Sequence, residues 1–200
     1  MNDGLRENGV DMFGRVAGIV GLWVLFAVGS AFAQSDAPSQ DWSEARFGAR
    51  FEAFDWLIGE WQGYGQFEDR TTYIHKRYSY DVAGVYLVER TLDVFPPQEV
   101  STDFEVHQDF SVFYRNNQTG DFALNGFFVE TFVTQAAVGV AQDGSSFVVE
   151  STSIYNGPPE MRTRMTYTRS GTDEFRLRFE IAPPGQEYRV AEEAVFKRIQ

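Results

Sequence analysis

One stretch decides the fold: residues 54–65 read FDWLIGEWQGYG. Up to Gly59 the apolar residues recur with the period of a helix and share one face. They are Phe47, Phe51, Phe54 and Ile58. From Glu60 the period changes to two, which is the period of a strand with one buried face. The stretch therefore predicts the end of an amphipathic helix, a stop at Gly59, and the first strand of a sheet.

Ten segments with strand-like patterns follow one another from this junction. They cover residues 60–67, 71–80, 85–95, 109–115, 121–130, 131–141, 146–154, 160–169, 174–181 and 188–199. Short turns rich in Gly, Asn, Asp and Pro separate most of them, so successive strands are expected to be antiparallel. A long antiparallel meander avoids exposed edges best by closing on itself. We therefore predict an all-β, closed up-and-down barrel of about ten strands; a two-sheet sandwich is the alternative.

Composition restricts the function further. The chain has 200 residues, a net charge of −12 and no cysteine. Without cysteine it has no disulfide, no thiolate nucleophile and no Cys-ligated metal. The excess of acidic residues disfavours nucleic acid and anionic membranes as partners, because both carry phosphate charge. A content of 16% aromatic residues indicates a folded domain with a usable core.

The N-terminal segment predicts export. Residues 16–33 form an apolar run that ends in Ala-Phe-Ala, the small-x-small pattern of a signal peptidase site. We expect a signal peptide at 1–33, a linker at 34–40, and one domain at 41–200 in the periplasm or secreted, without a membrane anchor after cleavage. An uncleaved transmembrane anchor is the alternative. Because residues 1–11 are acidic rather than basic, Met12 is a second candidate start. Asp41 and Glu44 have the spacing of a capping box for the N-terminal helix.

Several segments resemble one known group of barrels. The run Leu57-Ile58-Gly59-Glu60-Trp61-Gln62-Gly63-Tyr64-Gly65 is similar to the Gly-x-Trp opening of calycins. It is closest to their bacterial nitrobindin-like branch, which includes a domain family of unknown function beginning Leu-x-Gly-x-Trp-x-Gly-x-Gly. Residues 84–90 look like the third strand of that branch. Residues 161–168, and from 173–175 on to 196–198, look like its closing strands. The resemblance covers roughly residues 54–200.

The resemblance implies a small apolar ligand inside the barrel and a Trp, here Trp61, that plugs the barrel floor under a packed Arg. Arg162, Arg164 and Arg198 are the candidates for that Arg. Nitrobindin-like members bind haem through a histidine near the C-terminal end. Residues 188–200 contain none, and the only histidines are His75 and His107. We therefore expect no cofactor, haem included.

Catalytic motifs are missing from the sequence. It has no Gly-x-Ser-x-Gly, no thiol and no His-x-x-x-His spacing, so we name no catalytic and no metal-binding residue. Large aromatic and polar residues in the predicted strands are the candidates for the cavity lining. They are Trp61, Tyr73, His75, Tyr86, Phe110, Phe127, Phe147 and Arg164.

Three functions fit these observations. The first is non-catalytic binding of a small hydrophobic or amphipathic molecule inside the barrel. The second is an isomerase-like enzyme in the same cavity, with haem or without a cofactor. The third is an interaction module that binds a protein through an exposed apolar patch.

Overall fold

The computed structural model describes residues 51–116 and 119–199. They form one 3₁₀ helix, Glu52–Leu57, and ten strands. The strands are β1 (Gly59–Phe67), β2 (Arg70–Asp81), β3 (Tyr86–Phe95), β4 (Glu105–Arg115), β5 (Phe122–Phe127), β6 (Val133–Val140), β7 (Ser146–Tyr155), β8 (Arg162–Arg169), β9 (Glu174–Ala182) and β10 (Arg189–Arg198).

The strands close into a single barrel. Each pairs antiparallel with its neighbours in sequence, and β1 also pairs with β10, so that the sheet has no free edge. This confirms the predicted meander and excludes the sandwich. All ten predicted segments correspond to strands. The largest difference is at β4, which begins at Glu105 rather than at 109 and so includes His107.

The N-terminal helix differs from the expectation. Most of the predicted helix, together with the signal peptide and linker, lies outside the described residues. Within them the chain forms only a short 3₁₀ helix, whose Phe54 and Leu57 are fully buried. Gly59 follows directly with a φ of +122°, a conformation that favours glycine. Among the described residues no helix is long and apolar enough to cross a bilayer.

Glycines in β1 allow the barrel to close tightly. A Cβ on Gly63 would lie 2.3 Å from the Phe196 ring, and one on Gly65 would lie 2.6 Å from the Ala194 Cβ. Both contacts come from β10, the strand that closes the barrel against β1. The two glycines are therefore explained by close approach of the neighbouring strand.

Aromatic rings fill the end of the barrel next to the 3₁₀ helix. Phe175 stacks on Phe196 with centroids 4.5 Å apart, and Phe147 stacks on Tyr167 at 4.3 Å. Trp61 packs edge-on against Phe175 at 4.8 Å. All five side chains are essentially inaccessible to solvent. This aromatic floor closes one end of the barrel, and the space for a ligand lies in the other half.

Arg198 is the arginine that packs on Trp61. Its Cζ lies 4.2 Å from the centre of the indole, and its guanidinium donates to the carbonyl oxygens of Ile58 and Trp56. The indole Nε1 donates to the Leu57 carbonyl at 2.6 Å. Of the three candidates, Arg198 thus connects the last strand to the segment that precedes the first.

Candidate functional site

The half of the barrel opposite the 3₁₀ helix contains a cavity of about 370 Å³. Phe67 and Phe95 line it at the ends of β1 and β3, and Ile181 lines it near the end of β9. Most of the remaining wall surface is apolar and is supplied by phenylalanine, methionine, leucine and isoleucine side chains from five strands, the β5–β6 turn and the β7–β8 turn. The wall includes Leu124, Phe128, Phe132, Met161, Met165 and Phe179. Such a surface can bind the apolar part of a small molecule.

Lys76 is a buried cation at the inner part of this cavity. Its Nζ donates to Glu89 Oε1 at 2.5 Å and to Thr91 Oγ1 at 2.9 Å. Burial opposes its charge, but the negative charge of Glu89, helped by Asp93, outweighs burial and raises the pKa of Lys76. Lys76 is therefore protonated at neutral pH, and its ammonium group pairs with Glu89.

Three other carboxylic acids in the cavity have pKa values above their ordinary ones. Burial raises the pKa of Asp93 to about 6, against the attraction of Lys76. Burial, with the charge of Asp93, raises the pKa of Glu192 to about 7. Burial also raises the pKa of Asp109, although the backbone N–H of Val129 donates to it at 3.2 Å. Carboxylates with raised pKa values in a cavity are common at functional sites.

The mouth of the cavity carries a second polar group. His107 lies with its Nδ1 3.1 Å from a Glu130 oxygen and its Nε2 3.6 Å from a Glu105 oxygen. Arg70 donates to Glu105 at 3.1 Å and covers the Phe95 ring at 4.7 Å. The Nε and Nη2 of Arg70 are buried and make no hydrogen bond within the described residues.

Several polar atoms in the barrel interior also lack a partner among the described residues. They are Oε2 of Glu89, Oδ1 of Asp93 and the hydroxyl of Tyr78, none of which makes a hydrogen bond of ordinary geometry. Glu89 is only 5% exposed, and both it and Asp93 line the cavity. An unsatisfied buried acceptor is unfavourable by about 1–3 kcal/mol. Two of these atoms, Oε2 of Glu89 and Oδ1 of Asp93, are therefore unsatisfied acceptors in the cavity wall.

Two of the eight predicted lining residues face the barrel interior, and neither reaches the cavity. Trp61 and Phe147 belong to the aromatic floor. Trp61 is fully buried in this floor and does not line the cavity.

The other six predicted lining residues lie on the outside of the barrel, which corrects the prediction. They are Tyr73, His75, Tyr86, Phe110, Phe127 and Arg164. Their neighbours in each strand face inward, and a strand residue faces opposite to its neighbours. Tyr73 and Phe127 are 51% and 44% exposed.

Contacts on the outer surface account for several of these six side chains. His75 Nε2 lies 3.4 Å from a Glu60 oxygen. Phe110 and Phe127 stack on each other with centroids 6.1 Å apart. Arg164 donates to both Glu180 oxygens at 2.9 and 3.0 Å, and these hydrogen bonds lower the pKa of Glu180.

The charged residues of the cavity were missed by reasoning from sequence. A signal for them exists in the spacing of the strands. Lys76 is two residues from Ile74 and from Tyr78, and Glu89 is two residues from Leu87 and from Thr91, so each charge shares a strand face with these residues. A charge within an otherwise apolar face of a strand indicates a buried polar site. The cavity wall contains five carboxylic acids beside five phenylalanines, none of which is among the predicted lining residues.

Haem binding by the nitrobindin-like mode does not fit these residues. The residue of β10 that lines the cavity is Glu192, and β10 contains no histidine. His107 is the one histidine in the cavity wall, and both of its ring nitrogens face carboxylates. Over the described ranges no three His, Asp or Glu side chains converge in a way that could hold a metal ion.

A shallower depression of about 510 Å³ lies between the end of β7 and the start of β8. Its charged residues, Glu160 and Arg162, are both exposed, and most of its lining is serine, threonine and backbone. It holds no buried titratable group. The interior cavity is therefore the candidate functional site.

The closed ten-stranded antiparallel barrel fits a calycin-like fold. Among solved structures, fifteen chains match it. One is the crystal structure of Rv2717c from M. tuberculosis, with a TM-score of 0.55 and 15% sequence identity over 77% of this chain and 99% of that one. At this identity the similarity shows the fold alone. No family model matches the sequence, and no curated protein does.

Proposed function

We propose that this protein binds a small amphipathic molecule inside its barrel, without chemical change to the molecule. One observation carries the proposal: a cavity of about 370 Å³ whose surface is mostly apolar and whose lining also includes Lys76, Glu89, Asp93 and Glu192. Sites for small molecules have this composition, because apolar burial supplies affinity and a few polar groups fix orientation. Each CH₂ group that enters the cavity contributes about 0.8 kcal/mol.

Filling the cavity tests this proposal. Met165 faces inward on β8 and lines the cavity, whereas Thr168 on the same strand is exposed. Met165→Trp should reduce the affinity for the neutral fluorescent probe N-phenyl-1-naphthylamine by about tenfold or more, which is about 1.4 kcal/mol. Thr168→Trp adds the same indole outside the barrel and should bind the probe as the wild type does.

Equal binding by the two variants would place the probe outside the cavity and contradict the proposal. Native mass spectrometry of protein purified from the periplasm provides a second measurement. A bound small molecule that is absent from Met165→Trp supports the proposal, and an unliganded mass for both proteins counts against it.

Acid–base catalysis in the same cavity is a second candidate function. It is favoured by Asp93 and Glu192, whose pKa values of about 6 and 7 suit proton transfer near neutral pH. The two candidates are separated by the fate of the bound molecule. Recovery of the cavity ligand chemically unchanged after prolonged incubation supports plain binding, and its conversion to a product that Glu192→Gln does not form supports catalysis.

An interaction module is favoured by one feature of the surface. Tyr64 and Tyr73 are exposed neighbours on β1 and β2, with ring centroids 5.4 Å apart, and Val195 of β10 lies opposite Tyr64. These three residues form a small apolar surface. Because this surface consists of three side chains, we rank this function behind the first two.

Membership of the nitrobindin-like branch and export are further parts of the proposal. The Gly-x-Trp opening supports the first, because Trp61 and Arg198 pack as that resemblance implies. The Ala-x-Ala ending of the apolar run at 16–33 supports the second. A periplasmic or secreted location agrees with a binding protein for small molecules that contains no cysteine.

A further inference from the structure

We propose that the cavity selects a ligand whose polar head is a protonated amine, held beside the carboxylates of Asp93 and Glu192. The inference rests on the proposed binding function and specifies the chemical class of the ligand. It follows from the balance of charges, from the hydrogen-bonding groups left free, and from the apolar walls above them.

The charged residues of the cavity wall are unequal in number. Five carboxylic acids line it, against one lysine and one histidine. Lys76 is committed to Glu89, and His107 lies beside Glu130 at the mouth. Asp93 and Glu192 make no hydrogen bond or ion pair with any described residue. A cationic ligand would supply the charge that these two groups lack.

The free hydrogen-bonding groups of the inner cavity are mainly acceptors. Oε2 of Glu89 and Oδ1 of Asp93 are buried without a partner. The donors of Lys76 are directed to Glu89 and Thr91. An ammonium group has up to three donors and no acceptor, so it complements this set, whereas a carboxylate head would add acceptors where they are already in excess.

One competing arrangement exists at the mouth. Arg70 has two unpartnered donors there, although it pairs with Glu105 and does not line the cavity. A carboxylate ligand could place its head at Arg70 and its tail in the cavity. The experiment below therefore includes a carboxylate.

The apolar walls limit the rest of the ligand. A volume of about 370 Å³ is that of roughly a dozen water molecules at about 30 Å³ each. The apolar part of the cavity wall is formed by phenylalanine, methionine, leucine and isoleucine side chains. A short aliphatic or aromatic amine fits both the volume and the polarity.

Binding of an amine should depend on pH. The charged and titratable groups that act on Asp93 or Glu192 are Lys76 on β2, Glu89 on β3, His107 and Asp109 on β4, and the neutral phenol of Tyr167 on β8. Glu130, after β5, acts on Asp109, and Tyr78 lies beside Glu89 and Tyr167. Because burial holds part of Asp93 and Glu192 protonated near neutral pH, an ammonium ion must displace those protons. Amine affinity should therefore increase from pH 5.5 to pH 8.

The test compares three ligands of one chain length by isothermal titration calorimetry: octylamine, octanol and octanoate. At pH 7.5 octylamine should bind at least about tenfold more tightly than octanol, since hydrogen bonds to charged groups are the stronger kind. Octanoate should bind more weakly than octanol. Binding of octanol as tight as that of octylamine, or tighter binding of octanoate, overturns the inference and leaves the proposed function standing. Failure of all three to bind overturns both.

Variants locate the amine. Glu192→Gln and Asp93→Asn keep the size of each side chain and should each reduce octylamine affinity about tenfold, and should reduce octanol affinity much less because octanol carries no charge. Glu193→Gln is the matched control, because Glu193 is the adjacent residue of β10 and is exposed. If Glu192→Gln and Asp93→Asn both bind octylamine as Glu193→Gln does, the amine is not held by these carboxylates and the inference is wrong.

Discussion

The two ends of the barrel contrast in how they treat polar groups. At the aromatic floor the polar atoms of the Trp61–Arg198 pair have partners, because Nε1 of Trp61 and the guanidinium of Arg198 donate to backbone carbonyls. Nε1 of Trp56, which packs on Phe147 and Phe175, is the exception among the described residues of the floor. In the cavity, buried oxygens of Glu89 and Asp93 have none. The floor is filled by stacked rings, whereas the other half keeps about 370 Å³ of space.

This difference indicates a division of roles. The floor unites the first and last strands and the 3₁₀ helix in one packed cluster, so it should supply much of the stability. The cavity contains charges whose burial is unfavourable without a ligand. Proteins accept such local instability mainly where function needs it. Four substitutions measure how far this contrast extends.

Trp61→Ala should have the largest effect. It removes a fully buried indole, its hydrogen bond to Leu57 and the surface on which Arg198 packs. We expect a loss of about 3–5 kcal/mol in the free energy of unfolding, measured by urea denaturation. A loss below about 1 kcal/mol would mean that the floor does not supply much of the stability, and it would contradict the proposed division of roles.

Glu192→Gln should act in the opposite direction and only at higher pH. The folded-state pKa of Glu192 is about 7 against an ordinary 4.5, so the folded protein binds its proton more tightly than the unfolded chain does. Its contribution to stability is therefore present below about pH 4.5 and is lost as the pH rises to about 7. Glutamine cannot ionise, so the variant should equal the wild type near pH 4 and exceed it at pH 8 by up to about 3 kcal/mol.

The measurement for Glu192→Gln is urea denaturation of both proteins across this pH range. Glu193→Gln serves as the control, and its difference from the wild type should not change with pH. A pH-independent difference for Glu192→Gln as well would show that the pKa of Glu192 is not raised in the folded protein. Burial of this carboxyl would then not lower the stability of the cavity half.

The fold was predictable from sequence because its signals are local and repeated. Ten alternating segments separated by Gly, Asn, Asp and Pro turns leave few topologies, and closure avoids exposed edges. The glycines of β1 were also informative, since Gly63 and Gly65 share a face and their neighbour in space is the closing strand. The exception was the described end of the N-terminal helix. The spacing of phenylalanines predicts an α-helix there, and the structure has a 3₁₀ helix at Glu52–Leu57.

The site was not predictable in the same way, because it depends on which face of each strand points inward. Alternation gives two faces but does not label them. Tyr73 and Tyr86 were predicted to line the cavity because they are aromatic, but they lie on the outer face of β2 and β3. The inner face of these two strands carries Lys76 and Glu89. Similarly, the arginine that packs on Trp61 depends on contacts between the two ends of the chain, which only the closed barrel brings together.

A matched pair on β9 gives the smallest and most direct test of the contrast. Phe175 and Phe179 both face inward, four residues apart, but Phe175 is fully buried in the floor and Phe179 lines the cavity. Phe175→Leu should lower the free energy of unfolding by about 1–2 kcal/mol, because the stacked rings around it cannot collapse onto the lost volume. Phe179→Leu enlarges a space that already exists and should lower it by less than about 0.5 kcal/mol. Urea denaturation of both variants decides between the two ends: equal losses would mean that the cavity half is packed as tightly as the floor, which leaves no room for the ligand proposed above.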